Sequence, residues 1–256
     1  MATINPAMKK LSLALLAAVL LAACQAQPRP SSVDETRPAS DRSIAWPGQG
    51  QRFVVNQNES ELRIVVYADG PLARFGHPHV IGGAVLAGEV KLAEPFPDSA
   101  LRLEIDVTAM EVDRPSWRSD EGFDPEMSAS AIADTRRNML SSAVLNAEQY
   151  PQIKIESLAI SGPSWQPDIE LRVHLVGSTR ELTVPIALDI GETSLVATGR
   201  MLISQRDFGI EPFSAAGGNL AVADELLIRF RVVADAHPER PGEAMPQTAD
   251  SFVEER

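Results

Sequence analysis

The chain has 256 residues, with 35 acidic against 23 basic side chains and a formal charge of −12. That balance excludes a surface built for nucleic acid, which needs clustered cations to neutralise phosphates. An apolar fraction of 44% fits a globular domain of β-barrel size, and the single cysteine excludes an internal disulfide, a paired-cysteine zinc knuckle and a CxxC redox couple.

Lys9 and Lys10 precede an uncharged apolar run from Leu11 to Ala23, and residues 1–23 read as a secretion signal. The run is too short for a transmembrane helix, which needs about 20 apolar residues. Leu21-Ala22-Ala23-Cys24 resembles the bacterial lipobox, which implies a diacylglycerol on the Cys24 sulfur and Cys24 as the first residue after cleavage. A soluble signal peptide with an incidental thiol is the alternative. The sorting rule that comes with this resemblance implies, from Gln25 rather than Asp after the cysteine, a lipid-anchored protein of the outer membrane facing the periplasm. Cleavage removes two lysines and no acid, so the charge becomes −14. An acidic body stays on anionic lipid only if covalently held. Residues 24–50 are rich in Pro, Ser and Gln and are expected to form a disordered tether; residues 236–256, with Pro238, Pro241 and Pro246, are expected as a disordered tail.

Between them, residues 51–235 alternate with period two. Weaker strands are expected near Phe53 to Val55, Leu62 to Tyr67 and Val80 to Leu92. Leu101, Leu103, Ile105 and Val107 then alternate with Arg102, Glu104, Asp106 and Thr108, one apolar face against one wet face. From Pro125 to Asn146 the pattern breaks: Ile132, Met139, Leu140, Ala143 and Val144 stand at roughly helical spacing, and a helix is expected there. The sheet resumes at Ile153 to Ile160. Three further alternating segments are centred on Leu171 and Val173, on Val184 and Ile186, and on Ile228 and Phe230, with a weaker one over Leu195 to Ser204. Connections such as Ser178-Thr179-Arg180 are too short for parallel crossovers, so the sheet is expected to be antiparallel. Long one-sided strands hide their inner face best by closing into a barrel.

Four segments in this order resemble the YceI-like family of lipocalin-like bacterial proteins: Gly76 to Ile81, Asn146 to Ser157, Leu175 to Arg180 with Val184-Pro185, and Ser204 to Ile210. The resemblance spans roughly residues 52 to 233. It implies a mainly β fold, an extended eight-stranded antiparallel lipocalin-like barrel with one short helix. Its apolar interior would hold a polyisoprenoid, with the head group near the mouth. Alternation makes Val80, Leu86, Val90, Leu101, Leu103, Ile105, Val107, Leu171, Val173, Val184, Ile186, Ile228 and Phe230 the expected lumen residues, although packing of a filled barrel predicts the same parity. Arg180 and Arg206 are the guanidinium groups that could meet a phosphate head group.

His77 and His79 form a His-x-His pair whose rings, in an extended segment, point to one side and suit zinc or copper. A third ligand would have to come from His174, Asp106 or Glu104. Alternation carried back from Val90 turns both histidines away from the lumen unless Gly82-Gly83 hosts a bulge that reverses the parity. The chain carries no GxSxG, HExxH, Walker loop or GxGxxG, so a binding protein without catalytic residues or an obligatory cofactor is the leading expectation. A metal-binding or stress-response protein using His77 and His79 is one rival. An accessory scaffold with a filled barrel is the other.

Overall fold

The computed structural model describes residues 36–42, 45–215, 217 and 219–238. In chain order, β1 (Arg37–Pro38), β2 (Gln51–Val55), β3 (Glu61–Val66), β4 (Ala68–Asp69), β5 (His79–Gly83), β6 (Leu86–Leu92), β7 (Ala100–Asp106) and β8 (Glu111–Val112) precede two helices, α1 (Pro115–Asp120) and α2 (Ala129–Leu140). Then follow β9 (Gln152–Ser161), β10 (Asp168–Leu175), β11 (Ser178–Pro185), β12 (Ala187–Ile190), β13 (Ser194–Ser204), β14 (Ser214–Ala215), β15 (Leu220–Val222) and β16 (Glu225–His237).

Three of the long strands are interrupted. β2 and β3 lie end to end along β16, with Phe53 opposite Ala236 and Leu62 opposite Phe230. β5 pairs with β3, and β6 with β2. β11 bonds to β10, whereas β12, resuming after Ile186, bonds to β13. Counting β2/β3, β5/β6 and β11/β12 as one strand each leaves eight antiparallel strands in up-and-down order, with β16 returning to the first: a lipocalin-like barrel. The ladder changes partner at Ile186, because β11 itself is not hydrogen-bonded to β13.

Alternation sets the two faces. Leu171, Val173, Leu182 and Val184 are buried in one core cluster that runs through to Ile203 and Ile228. Two expectations fail locally for stated reasons. The β10–β11 turn is Val176-Gly177, both at positive φ (49° and 72°), so Ser178, Thr179 and Arg180 are strand residues rather than the connection. Val107 leaves the sheet for a 3₁₀ turn because the Asp106 carboxylate accepts from the Thr108 and Ala109 amides.

The expected helix is α2, capped by Ser128, whose hydroxyl accepts from the Ala131 amide. α1 is an addition: Pro115 opens it, and its six residues are too few for a periodic signal, yet Trp117 and Arg118 are buried. Of the expected tether, residues 36–42 and 45–50 are described and lie along the barrel, β1 pairing with β11. The expected tail begins inside β16, which runs to His237. Residues 1–35, including Cys24, and residues 239–256 lie outside the described residues.

Candidate functional site

The barrel encloses a cavity of about 320 Å³, within the range of small-ligand sites. Its walls come from alternate residues of the long strands. Of the expected lumen residues, Leu86, Val90, Leu101, Leu103, Ile105, Leu171, Val173, Val184, Ile186, Ile228 and Phe230 line it. The barrel is therefore not plugged by its own side chains.

Val80 and Val107 do not line the cavity. Val80 is fully buried on the other side of β5, paired with Val65 and bonded through its amide to Asp113. The cause is a parity switch: Ala84 and Val85, following Gly83 (φ 136°) at the end of β5, interrupt the strand before β6. Odd-numbered residues face inward before the break, as Ile81 does, and even-numbered ones after it, as Leu86 and Val90 do. His79 consequently faces the cavity instead of pointing away from it.

The polar lining residues are His79, Thr135, Asn138 and Gln205; no Lys, Arg, Asp or Glu is among the described lining residues. They gather at one end. Val66 pairs with His79, Val65 with Leu227 and Ile203 with Leu226, which sets His79 level with the β13 end that leads into Gln205. α2 closes over the same end, since its Arg136 donates to the Thr108 carbonyl just beyond β7. Phe213 both lines the cavity and is 40% exposed, so the space meets solvent here. Tyr67, directly after β3, is also exposed, as is Phe75 in the loop packed on β4 and β15.

His79 is held from behind by two residues that alternation and spacing did not single out. Its Nδ1 lies 2.6 Å from Asp113 Oδ2, and Asp113 Oδ1 accepts from the Val80 amide at 3.0 Å and from Arg118 Nη1 at 2.8 Å. Arg118 is 1% exposed and also donates to the Pro78 and Asp124 carbonyls. Burial pushes the Asp113 carboxyl up, but the hydrogen bonds from His79, Val80 and Arg118 outweigh it and hold the group below the usual carboxylate range. An ionised Asp113 is acceptor-only, so the proton of this pair sits on Nδ1 of the ring. The sequence sign of this cluster is faint: Asp113-Arg114-Pro115 marks a helix start, and nothing in the spacing ties it to His79.

The remaining expected groups lie elsewhere. Arg180 donates to the Thr179 carbonyl beside β1, and Arg206 is exposed and paired with Glu211 at 2.9 Å. Neither lines the cavity. His77 is exposed, and His174 bonds Thr179 Oγ1 at 2.8 Å on the outer side of β10. Burial, the largest influence on the His174 ring, pushes its pKa down. Among the described residues no group of three or more His, Cys, Asp or Glu side chains stands close enough to share a metal ion.

Residues 53–234 match the family model of the YceI-like domain. No curated protein matches the chain in sequence. Among solved structures, BcnA of Burkholderia cenocepacia is similar with a TM-score of 0.52 at 16% identity, over 70% of this chain and 98% of that one. A Campylobacter jejuni YceI protein is similar with a TM-score of 0.43 at 10% identity, over 60% of this chain and 82% of that one.

Proposed function

Because the chain belongs to the YceI-like family, we propose that it is a lipid-binding protein of the bacterial cell envelope that holds a long apolar molecule, a polyisoprenoid, inside its barrel for storage or transfer. The observation that carries this reading is the cavity itself, walled by the inward residues of the long strands and polar only at its open end. Burial of a hydrocarbon chain gains about 0.8 kcal/mol per methylene relative to water. A bilayer offers a comparable gain, so exchange between membrane and barrel is nearly balanced, which suits a reversible carrier. Exposed Tyr67, Phe75 and Phe213 near the open end give that end an apolar, aromatic rim, the composition favoured at a membrane interface.

In this reading Cys24 carries the lipid that anchors the protein in the outer membrane, facing the periplasm, after removal of residues 1–23. Purification without detergent, followed by organic extraction and mass spectrometry, tests the cargo: a co-purified prenyl chain is expected, and an empty protein from every preparation overturns the carrier. Cys24→Ser tests the anchor and is expected to move the protein from the membrane fraction to the soluble fraction.

A further inference from the structure

We propose that His79 is the head-group residue of the cavity and that it selects a chain ending in a hydroxyl, a prenyl alcohol rather than its phosphate. The inference rests on the reading that the cavity holds a prenyl chain, and it adds which end group is recognised and by which atom. With Nδ1 committed as donor to Asp113, Nε2 carries no proton in the neutral form of the ring and is there a bare acceptor, so its partner in that form must be a donor. A hydroxyl supplies that proton and still has lone pairs for donors; the Thr135 hydroxyl and Asn138 amide line the same end.

A phosphate ester lacks the means to be neutralised there. His79 would be its sole cation among the described lining residues. Arg118 is buried behind Asp113 with Nε and Nη1 already given to Asp124, Pro78 and Asp113. A phosphate at this end would face that single ring with the Asp113 carboxylate behind it, and an ionised group is disfavoured where its charge is incompletely paired. The fixed tautomer also discriminates between neutral ends: a methyl ether or a carbonyl accepts hydrogen bonds but cannot donate to Nε2.

The test equilibrates the purified, full-length protein with an equimolar mixture of a long-chain prenyl alcohol, its methyl ether, the parent hydrocarbon and the prenyl monophosphate, and counts bound species by native mass spectrometry. Alcohol is expected to exceed ether and hydrocarbon about tenfold, the share of one hydrogen bond, with the monophosphate below the alcohol. His79→Leu is expected to bring the alcohol-to-ether ratio close to one while the hydrocarbon still binds. Asp113→Asn is expected to make alcohol and ether bind alike, because the amide donates to Nδ1 and turns Nε2 into a donor, while Asn tolerates the positive φ of 56° at this position. Equal binding of alcohol and ether by the unaltered protein, preference for the monophosphate, or a preference that survives His79→Leu overturns the inference. Failure of the unaltered protein to bind any of the four overturns the lipid-binding reading beneath it. Should Asp113→Asn not fold, His79→Leu alone decides.

Discussion

Glu181→Gln probes how the segment ahead of the barrel is held, and its effect can be worked from the contacts. Glu181 sits on β11 with its side chain 3% exposed; Oε1 accepts from the Ser40 amide at 2.8 Å, the Ser40 hydroxyl at 2.7 Å and Arg172 at 3.1 Å, and Oε2 accepts from Arg42 at 3.0 Å. Further along, Arg102 stacks on Trp46 at 4.6 Å and Lys91 donates to the Gly48 carbonyl at 3.4 Å. The described part of residues 36–50 thus straps the outside of β11, β10, β7 and β6. Burial opposes ionisation of Glu181, but bonds from Ser40, Arg42 and Arg172 outweigh it and bring the pKa down to about 2. An amide retains the Ser40 bonds and removes the charge facing Arg42 and Arg172. Arg42 is half exposed and keeps two bonds to Glu170, so its loss counts little. The bond from the mostly buried Arg172 falls on the same Oε1 that accepts from Ser40, so the amide keeps it but without its charge assistance, at a cost of about 1 kcal/mol. A carboxyl whose folded pKa is depressed stabilises above its ordinary value of 4.5 and loses that contribution as pH falls through about 2. Urea denaturation is therefore expected to separate Glu181→Gln from the unaltered protein fully at pH 7 and progressively less below pH 4.5. Trypsin should cut after Arg42 faster in the variant. Equal midpoints at pH 7, or a difference that does not shrink in acid, would refute the strap.

Val184→Trp places an indole in the lumen at a position 1% exposed; extractable lipid per protein should fall sharply, while the β-sheet circular dichroism is kept because the ring enters free space. Arg118→Met strands the buried Asp113 carboxylate and should lower stability by about 3–5 kcal/mol in denaturant titration. Val176→Asn relieves a β-branched residue at φ 49° in the β10–β11 turn and should raise stability by about 1 kcal/mol, seen as a higher melting temperature.

The barrel was legible because its strands obey one rule for long stretches. Leu171 and Val173 alternate with Arg172 and His174, and the structure puts the first pair on the cavity and the second outside it. The pattern carries across the break at Ile186, since Val184 and Ile186 keep the same parity even as the ladder passes from β10 to β13. Alternation fails where a side chain competes for the backbone, as Asp106 does when it draws Val107 into a turn. It is silent on the segment from Arg37 to Gly48, which has no periodicity of its own. Its described residues are placed by contacts to residues far along the chain, Glu170 and Glu181 above all.

The site was less legible than the walls, and the reason is local. Whether His79 faces the cavity or solvent turns on an odd or even count of residues between it and Leu86, a property that period-two reasoning propagates without error only along an unbroken strand. Gly83, at a φ that side chains rarely adopt, marks where the count slips. Gly82 belongs to the same design for another reason: a Cβ there would stand 1.9 Å from the Leu62 carbonyl oxygen, so β5 can lie against β3 only with glycine at this position. The glycine pair thus does two jobs, allowing close pairing on one side and reversing the faces on the other. Through the second it brings an imidazole, backed by a buried carboxylate and guanidinium, to the polar end of a space walled mostly by hydrocarbon.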